Sequence, residues 1–506
     1  MPSSFIPAKT SLSRVFLIEG GARGDNQPVY ESSFAMGSLS QGFGDVTKIE
    51  VPHPQRYGQY KEIGNIRGST ERPTTSLVGR FAADLKSTML RIAQQGCAVD
   101  LHCHFGTCEN PSNFNDFKKG IILKDAIITS WGTGDLGGLS SDSNAEIDET
   151  AEISASAIIE ILPLTLTQKA TDLTTLTIID VVIADSVSCG ECSDNSDGCS
   201  KVFALSINAG GSAGTPADVV YSLDKGATWY AHDVDNAADD PSALAIVGDY
   251  VVVTSNTEAT TYSALKSLFT DDNNPLFPDD PTFTAVATGL VATGEPNDIW
   301  SIGNTAFLVG DTGHVYKMTD PTAGVTVLDA GVANANDLFA VHALNEDFVV
   351  AVGAHGAIVW SEDGASFSDL TTTPVAANIT INAVWIVSED VWWIGTSTGL
   401  LYYTKDQGLN WTAKAFTGSG AGSVDAIAFS DSNNGYMVHT TGATVGRILR
   451  TYDGGYSWVV LPEDAGTVVM NQGYAVASCE TDPNFVVGVG LDTDAATGAI
   501  IVGKAN

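Results

Sequence analysis

The stretch "CGECSDNSDGC" holds Cys189, Cys192 and Cys199 within eleven residues, and Cys479 stands far downstream. Thiolates at CxxC spacing can take a zinc ion, but a second CxxC or a Cys/His pair is missing. Three states stay open on this reading: a metal site, a disulfide cluster, or free thiols. A bridge from Cys479 to the group would clasp the end of the chain to a much earlier segment, and it would persist in a virion or a secreted protein. A second stretch, "DLHCHFGTC" (100–108), puts His102 and His104 on one strand face. Without a third ligand they read more simply as surface or interface residues, and neither a metal nor a cofactor is expected.

Signs of catalysis are sparse. Neither a Ser/His/Asp arrangement nor a paired-carboxylate motif stands out. "GGARG" at 20–24 lacks the Lys-Ser/Thr ending of a phosphate loop and reads as a turn or a flexible arm. Residues 171–506 contain two arginines, Arg447 and Arg450, three positions apart. A site that grips a carboxylate with three guanidinium groups cannot be built from two. The expectation is a protein that is not an enzyme.

The most regular signal is an octet, Ser/Thr-x-Asp-x-Gly-x-x-Trp. It occurs as Ser222, Asp224, Gly226, Trp229; as Thr404, Asp406, Gly408, Trp411; and as Thr451, Asp453, Gly455, Trp458. A degenerate copy one residue shorter has Ser361, Asp363 and Phe367, and "TDPTAGVTV" after Met318 is a further worn candidate. Such an octet suits a tight turn between strands: the carboxylate accepts turn amides, the glycine takes positive φ, and the aromatic fills a gap.

Copies follow one another at 43 residues (Ser361 to Thr404) and 47 residues (Thr404 to Thr451). In phase with them run short apolar strands such as "NDIWSI", "NDLFAV", "NAVWIV" and "DAIAF", each followed by a second apolar run and glycine turns. Short strands at a period in the forties predict a β-propeller of roughly seven blades over residues 166–506. The last repeat is one strand short, so the segment near 169–179 is expected to close the ring.

The first 165 residues have another texture. Strands are expected at 14–19, 74–81, 97–105, 120–131 and 153–164, with one helix over "ADLKSTMLRIAQQG", where Leu85, Met89 and Ile92 share a face and Gly96 is the cap. The whole is mainly β: a small β-sandwich with one helix, then the propeller.

Charge divides the chain in the same way. Residues 1–170 carry 15 Lys+Arg against 19 Asp+Glu, whereas residues 171–506 carry 9 against 41. So acidic a region repels nucleic-acid phosphate and does not bind it. No apolar run is long enough to span a membrane, and the N-terminus lacks the pattern of a secretory leader.

The repeat resembles the Asp-box (BNR) propellers of sialidases, sortilin-type receptors and photosystem II assembly factors. In those families the box is structural. The three-arginine clamp of sialidases and the arginine patch of the assembly factors have no counterpart here. In the N-terminal region, "GFGDVTKIEVPHPQRYG" (42–58), "ERPTTSLVGRF" (71–81) and "DLGGLSSDSNAEIDETAEISA" resemble the major tail tube proteins of tailed bacteriophages. That resemblance implies a β-sandwich whose copies join into hexameric rings. The rings would stack into a tube that contacts other tail proteins and passes viral DNA without binding it specifically. It implies a virion protein assembled in the host cytoplasm, with the propeller facing outward as a decoration. The alternative is a host-surface glycan- or protein-binding propeller anchored by its N-terminal domain.

Overall fold

A computed structural model describes strands 14–19, 29–32, 35–36, 46–52 and 60–67, then residues 72–80, 90, 93–94, 96, 98–106, 117–133, 148–169 and 176–184. It goes on to describe 199–208, 218–234, 241–255, 260–269, 282–286, 289–291, 293–330, 335–416, 418–442, 445–455, 457–462, 470–492 and 498–505. The chain divides into two compact units, Met1–Leu162 and Pro163–Asn506.

In the first unit eight strands form one antiparallel ladder, in the order Val29–Ser32, Arg14–Glu19, Val99–Gly106, Phe117–Thr133, Asp148–Ser154, Thr74–Arg80, Ala35–Met36, with Ala157–Ile161 also on Phe117–Thr133. Val46–Pro52 and Tyr60–Arg67 make a separate two-stranded pair. The ladder has two parts, which share the 17-residue strand. The 17-residue strand changes partners along its length, pairing Gly120–Lys124 with Ala157–Ile161 and Ile127–Thr133 with Asp148–Ser154. Leu77, Leu101, Leu123, Ile128 and Ile153 from both parts share one buried core.

The single strand expected over 153–164 is two. At the break, Ser156 turns out of line and gives both its N–H and its O–H to the Lys124 carbonyl. The expected helix falls mostly outside the described residues, where Leu85, Met89 and Ile92 also lie. Leu90, Ala93 and Gln94 are helical, and Gly96 has φ +67°.

The second unit contains seven four-stranded antiparallel sheets among the described residues. Their first strands are Leu176–Ala184 (sheet I), Pro241–Val247 (II), Pro296–Ile302 (III), Leu338–Ala343 (IV), Ile381–Ile386 (V), Ser423–Phe429 (VI) and Gln472–Ser478 (VII). Each first strand packs against the next, and that of sheet VII meets that of sheet I, so the circuit closes. This is the arrangement of a β-propeller. Apolar cores lie between the sheets rather than within them: Phe203, Leu205, Ile246 and Val253 pack sheet I on II, while Val202, Val220, Val487 and Ile500 pack sheet I on VII.

Sheet VII is completed from the other end of the chain. Its strands are Gln472–Ser478, Val486–Leu491, Gly498–Ala505 and Leu164–Lys169, the last pairing from Leu164↔Ala505 to Lys169↔Ile500. The closing strand is therefore not the segment near 169–179, whose end instead begins sheet I. "LTLTQK" alternates, burying Leu164 (1% exposed) and Leu166 (2%) in the core shared by sheets V, VI and VII, and that alternation selects it. A boundary at 165/166 would cut through this strand. The unit begins at Pro163.

Candidate functional site

The Asp-box residues occupy the turns between third and fourth strands of sheets I, IV, V and VI. In sheet VI the Thr451 hydroxyl donates to Asp453 Oδ1 (2.9 Å) and accepts the Gly455 N–H (2.8 Å). Asp453 accepts the Ser457 N–H and O–H, both at 2.8 Å. The same pattern holds Thr404, Asp406, Gly408 and Asn410, and also Ser222, Asp224, Gly226 and Thr228. In the short copy Asp363 takes the N–H groups of Ala365 and Ser366, one position early, which accounts for the missing residue before Phe367.

Burial opposes the charge on Asp224, but bonds from Thr228, Ser222 and Ala227 hold its carboxyl below the usual range. Bonds from Ser366 and Ala365 do the same for Asp363, and bonds from Asn410 and Thr404 for Asp406.

These turns wedge against the preceding sheet. A Cβ on Gly455 (φ +87°) would sit 2.1 Å from the Trp393 ring, so glycine is needed for contact as well as for backbone conformation. Trp458 packs edge-on to Trp393 at 6.2 Å, and the Trp411 indole N–H reaches the Thr372 carbonyl at 3.2 Å. Trp229 gives its indole N–H to Gly226 within its own turn. The four boxes stay apart, each at its own seam, and converge on no common site. Trp392 and Trp393, adjacent in the sequence, are 0% and 3% exposed and belong to the core.

Cys199 and Cys479 are joined by a disulfide between sheets I and VII. Cys189 and Cys192 lie outside the described residues. His102 is buried in its strand, and the side chain of His104 is not among those described. Among the described residues no three His, Cys, Asp or Glu side chains are grouped as metal ligands, and no helix is long and apolar enough to cross a membrane. Arg450 is fully buried, lying 4.3 Å from the Tyr452 ring centroid and donating to the Pro483 carbonyl at 2.9 Å.

The place where side chains do converge is the innermost layer. Every first strand carries a bulge at the same register, and the extra residues are Ile179, Ser242, Asn297, Phe339, Asn382, Asp425 and Tyr474. A bulge re-aims a side chain and sharpens the local bend. Several of these residues reach the next sheet: Ser242 Oγ donates to the Pro296 carbonyl (2.6 Å), Asn297 to the Leu338 carbonyl (3.1 Å) and Asn382 to Asp425 (3.3 Å). Phe339 makes no such tie and is 40% exposed.

The positions just after the bulges are Asp180, Ala243, Asp298, Ala340, Ala383, Ala426 and Ala475. Asp180 accepts the N–H groups of Val181 and, on the next sheet, Leu244, both at 2.7 Å. Asp298 likewise accepts from Ile299 and, across to sheet IV, Val341, both at 2.8 Å. The small Ala243 and Ala340 next door leave room for these crossings. Burial, with the Asp298 charge nearby, pushes Asp180 up to about 7, and burial pushes Asp298 up to about 6.

Two residues further along, Trp300, His342 and Trp385 pack against one another across sheets III, IV and V. The His342 ring lies 4.3 Å from Trp300 and 4.1 Å from Trp385, and the two indoles, two sheets apart, are 5.2 Å from each other. The innermost layer thus carries one exposed aromatic, Phe339, beside carboxylates whose oxygens are held by backbone N–H groups and a packed row of rings. Sequence reading missed it, because a one-residue bulge leaves no mark in an apolar run.

No family model and no curated protein matches this chain. Among solved structures, it is similar to YCF48 bound to a D1 peptide (17% identity, TM-score 0.45, covering 68% of this chain and 98% of that one). It is also similar to YCF48 from Cyanidioschyzon merolae (14%, TM-score 0.47, 67% and 98%) and to the WD40 β-propeller domain of Doa1 (12%, TM-score 0.45, 67% and 96%).

Proposed function

We propose that this chain is a non-enzymatic virion protein, a tail tube subunit. Its N-terminal unit assembles into stacked hexameric rings, and its propeller, with the seven sheets as seven blades, faces outward as a partner-binding decoration. The observation that carries the reading is the charge step. Residues 1–170 hold 15 basic against 19 acidic side chains, and residues 171–506 hold 9 against 41, with the step close to the unit boundary at Pro163. A nearly balanced unit can stack on copies of itself. A strongly acidic one is accommodated only where solvent and salt separate it from its neighbours. The tube-like residues at 42–58 and 71–81 support the same assignment.

Sedimentation velocity on the full-length chain tests it. The expected result is a series of hexamers and larger assemblies, and a single monomer boundary at all concentrations contradicts it. One observation favours a second reading, an adhesin that holds a host-surface protein or glycan: Phe339 stands exposed on the rim. The two readings are compatible if a decorated tube also adheres.

A further inference from the structure

We propose that the glycine-rich arch over 418–422, which leads from sheet V into sheet VI, is an acid-released latch, with the buried His439 ring beneath it as the trigger. The inference concerns the propeller alone and stands apart from the tube reading.

The stretch "GSGAGS" (418–423) alternates glycine with small residues, and Gly418, Gly420 and Gly422 have φ of +99°, +84° and +80°. Glycine enters that region at no steric cost, so the chain folds back tightly. It does so over His439, on the second strand of sheet VI, Gly435–Thr441. A Cβ on Gly418 would lie 2.8 Å from His439 Cε1 and 3.3 Å from Nδ1, and one on Gly422 would collide with the Thr440 carbonyl. On the other side Gly420 gives its N–H to the Gly399 carbonyl of sheet V at 2.8 Å. Phe416 closes the foot of the arch, edge-on to His439 at 4.9 Å.

The ring beneath holds one hydrogen and has no place for a second. His439 Nε2 lies 2.9 Å from the Ala421 carbonyl, which only accepts, so Nε2 carries the hydrogen and Nδ1 is a bare lone pair. Nδ1 has no hydrogen-bond partner among the described residues, in a side chain that is 0% exposed. A proton there would face the Gly418 backbone with nothing to accept it, and its charge would be cut off from water. Asp425, on the first strand of sheet VI, attracts that proton, but its oxygens already take Ser423 Oγ, Thr440 Oγ1 and Asn382 Nδ2. Arg447, the cross-strand partner of His439, repels it, and Tyr474 of sheet VII, in the field of Asp425, is neutral in this range.

Burial thus holds His439 below the usual histidine range. A group that resists its proton in the closed state and accepts it in the open one couples opening to acid. The closed arch keeps its full advantage above the ordinary histidine value of about 6.5 and loses it as pH falls, by at most about tenfold per pH unit. The sign is opposite to that of Asp180 and Asp298, and the effect is local. Because the arch runs into Ser423 and the Asp425 bulge, its release loosens the innermost layer between sheets V and VI.

Hydrogen–deuterium exchange on the full-length protein at pH 7.5 and pH 5.5, corrected for intrinsic rates, tests the latch. Peptides covering 418–423 should lose protection at pH 5.5 by about fivefold, while those covering 392–396 keep theirs. His439→Gln retains an N–H for Ala421 and does not titrate, so its arch should be equally protected at both pH values. Undiminished wild-type protection at pH 5.5, or the same loss in wild type and variant, overturns the proposal. Should the variant's arch be unprotected throughout, the wild-type ring decides. Exchange at its Cε1–H, followed by mass spectrometry, should give a midpoint below about 6.5, and one at or above that value overturns the latch.

Discussion

Cys199 and Cys479 stand 280 residues apart in the chain and 6.0 Å apart at their Cα atoms, joined by a disulfide across the seam where sheet VII meets sheet I. Thr481 Oγ1 lies within 3.4 Å of both sulfurs, the Asp482 N–H donates to Cys479 Sγ at 3.1 Å, and Lys225 pairs with Asp482 at 3.4 Å. The same seam holds the apolar core of Val202, Val487 and Ile500, and sheet VII is closed separately by Leu164–Lys169. The ring is thus joined twice, once by a strand and once covalently.

From this double closure it follows that Cys479→Ser folds but is less stable. A cross-link spanning so long a segment restricts the unfolded chain, and its loss costs about 2–5 kcal/mol. The propeller unfolding midpoint in guanidinium should fall, and dithiothreitol should lower the wild type to the same value without affecting the variant. Tryptophan fluorescence reads this unit selectively, because eight of the nine tryptophans lie beyond residue 171. Peptide mapping that pairs Cys199 with Cys189 or Cys192 contradicts the arrangement.

Asp453→Ala removes the acceptor for Thr451 and Ser457 in a turn where Asp453 is 2% exposed. Leaving those donors unmatched costs about 1–3 kcal/mol, and the midpoint should drop with little change in denaturant slope. Asp363→Ala, on the degenerate and more exposed copy, should cost less. Equal losses at both sites would show that burial does not govern these turns.

Gly455→Ala meets the Trp393 ring 2.1 Å from its Cβ and also imposes a side chain at φ +87°. Overpacking of this kind costs about 1–3 kcal/mol, and the variant's tryptophan emission should shift as Trp393 is displaced. A neutral outcome means that the seam between sheets V and VI is looser than described.

Acidic groups pull stability in two directions. The folded values of Asp180 and Asp298, about 7 and about 6, lie above that of an unfolded aspartate. Their contribution is complete at acid pH and is lost as pH rises through those values. Asp224, Asp363 and Asp406 are held below the ordinary range, so theirs is lost as pH falls into the acid range. The propeller's melting temperature should decline between pH 5 and pH 8. The Asp180→Asn/Asp298→Asn double variant should flatten that limb, and an unchanged slope rules out these two residues as its source.

The repeat was legible because it rests on turn chemistry: Asp, Gly and Trp at fixed offsets have few other uses. Strand identity was legible from apolar runs, but alignment between repeats was not. "NDLFAV" looks equivalent to "NDIWSI", yet the bulge register matches Phe339, not Asn336, with Asn297. The closing strand was misplaced because both 164–169 and 176–184 are β-branched or alternating segments, and only pairing with Gly498–Ala505 distinguishes them. Asp180 and Asp298 looked like two of many acids. What sets them apart is the neighbouring alanine and the N–H of the next sheet, relationships that span more than sixty residues in the first case and more than forty in the second.

Negative-stain electron microscopy of the purified full-length chain tests the central claim most directly. Rings or tubes with six-fold symmetry, each subunit bearing a knob on the outer surface, are the result expected of a tube protein with an outward propeller. A field of isolated particles, each of a single chain, contradicts it.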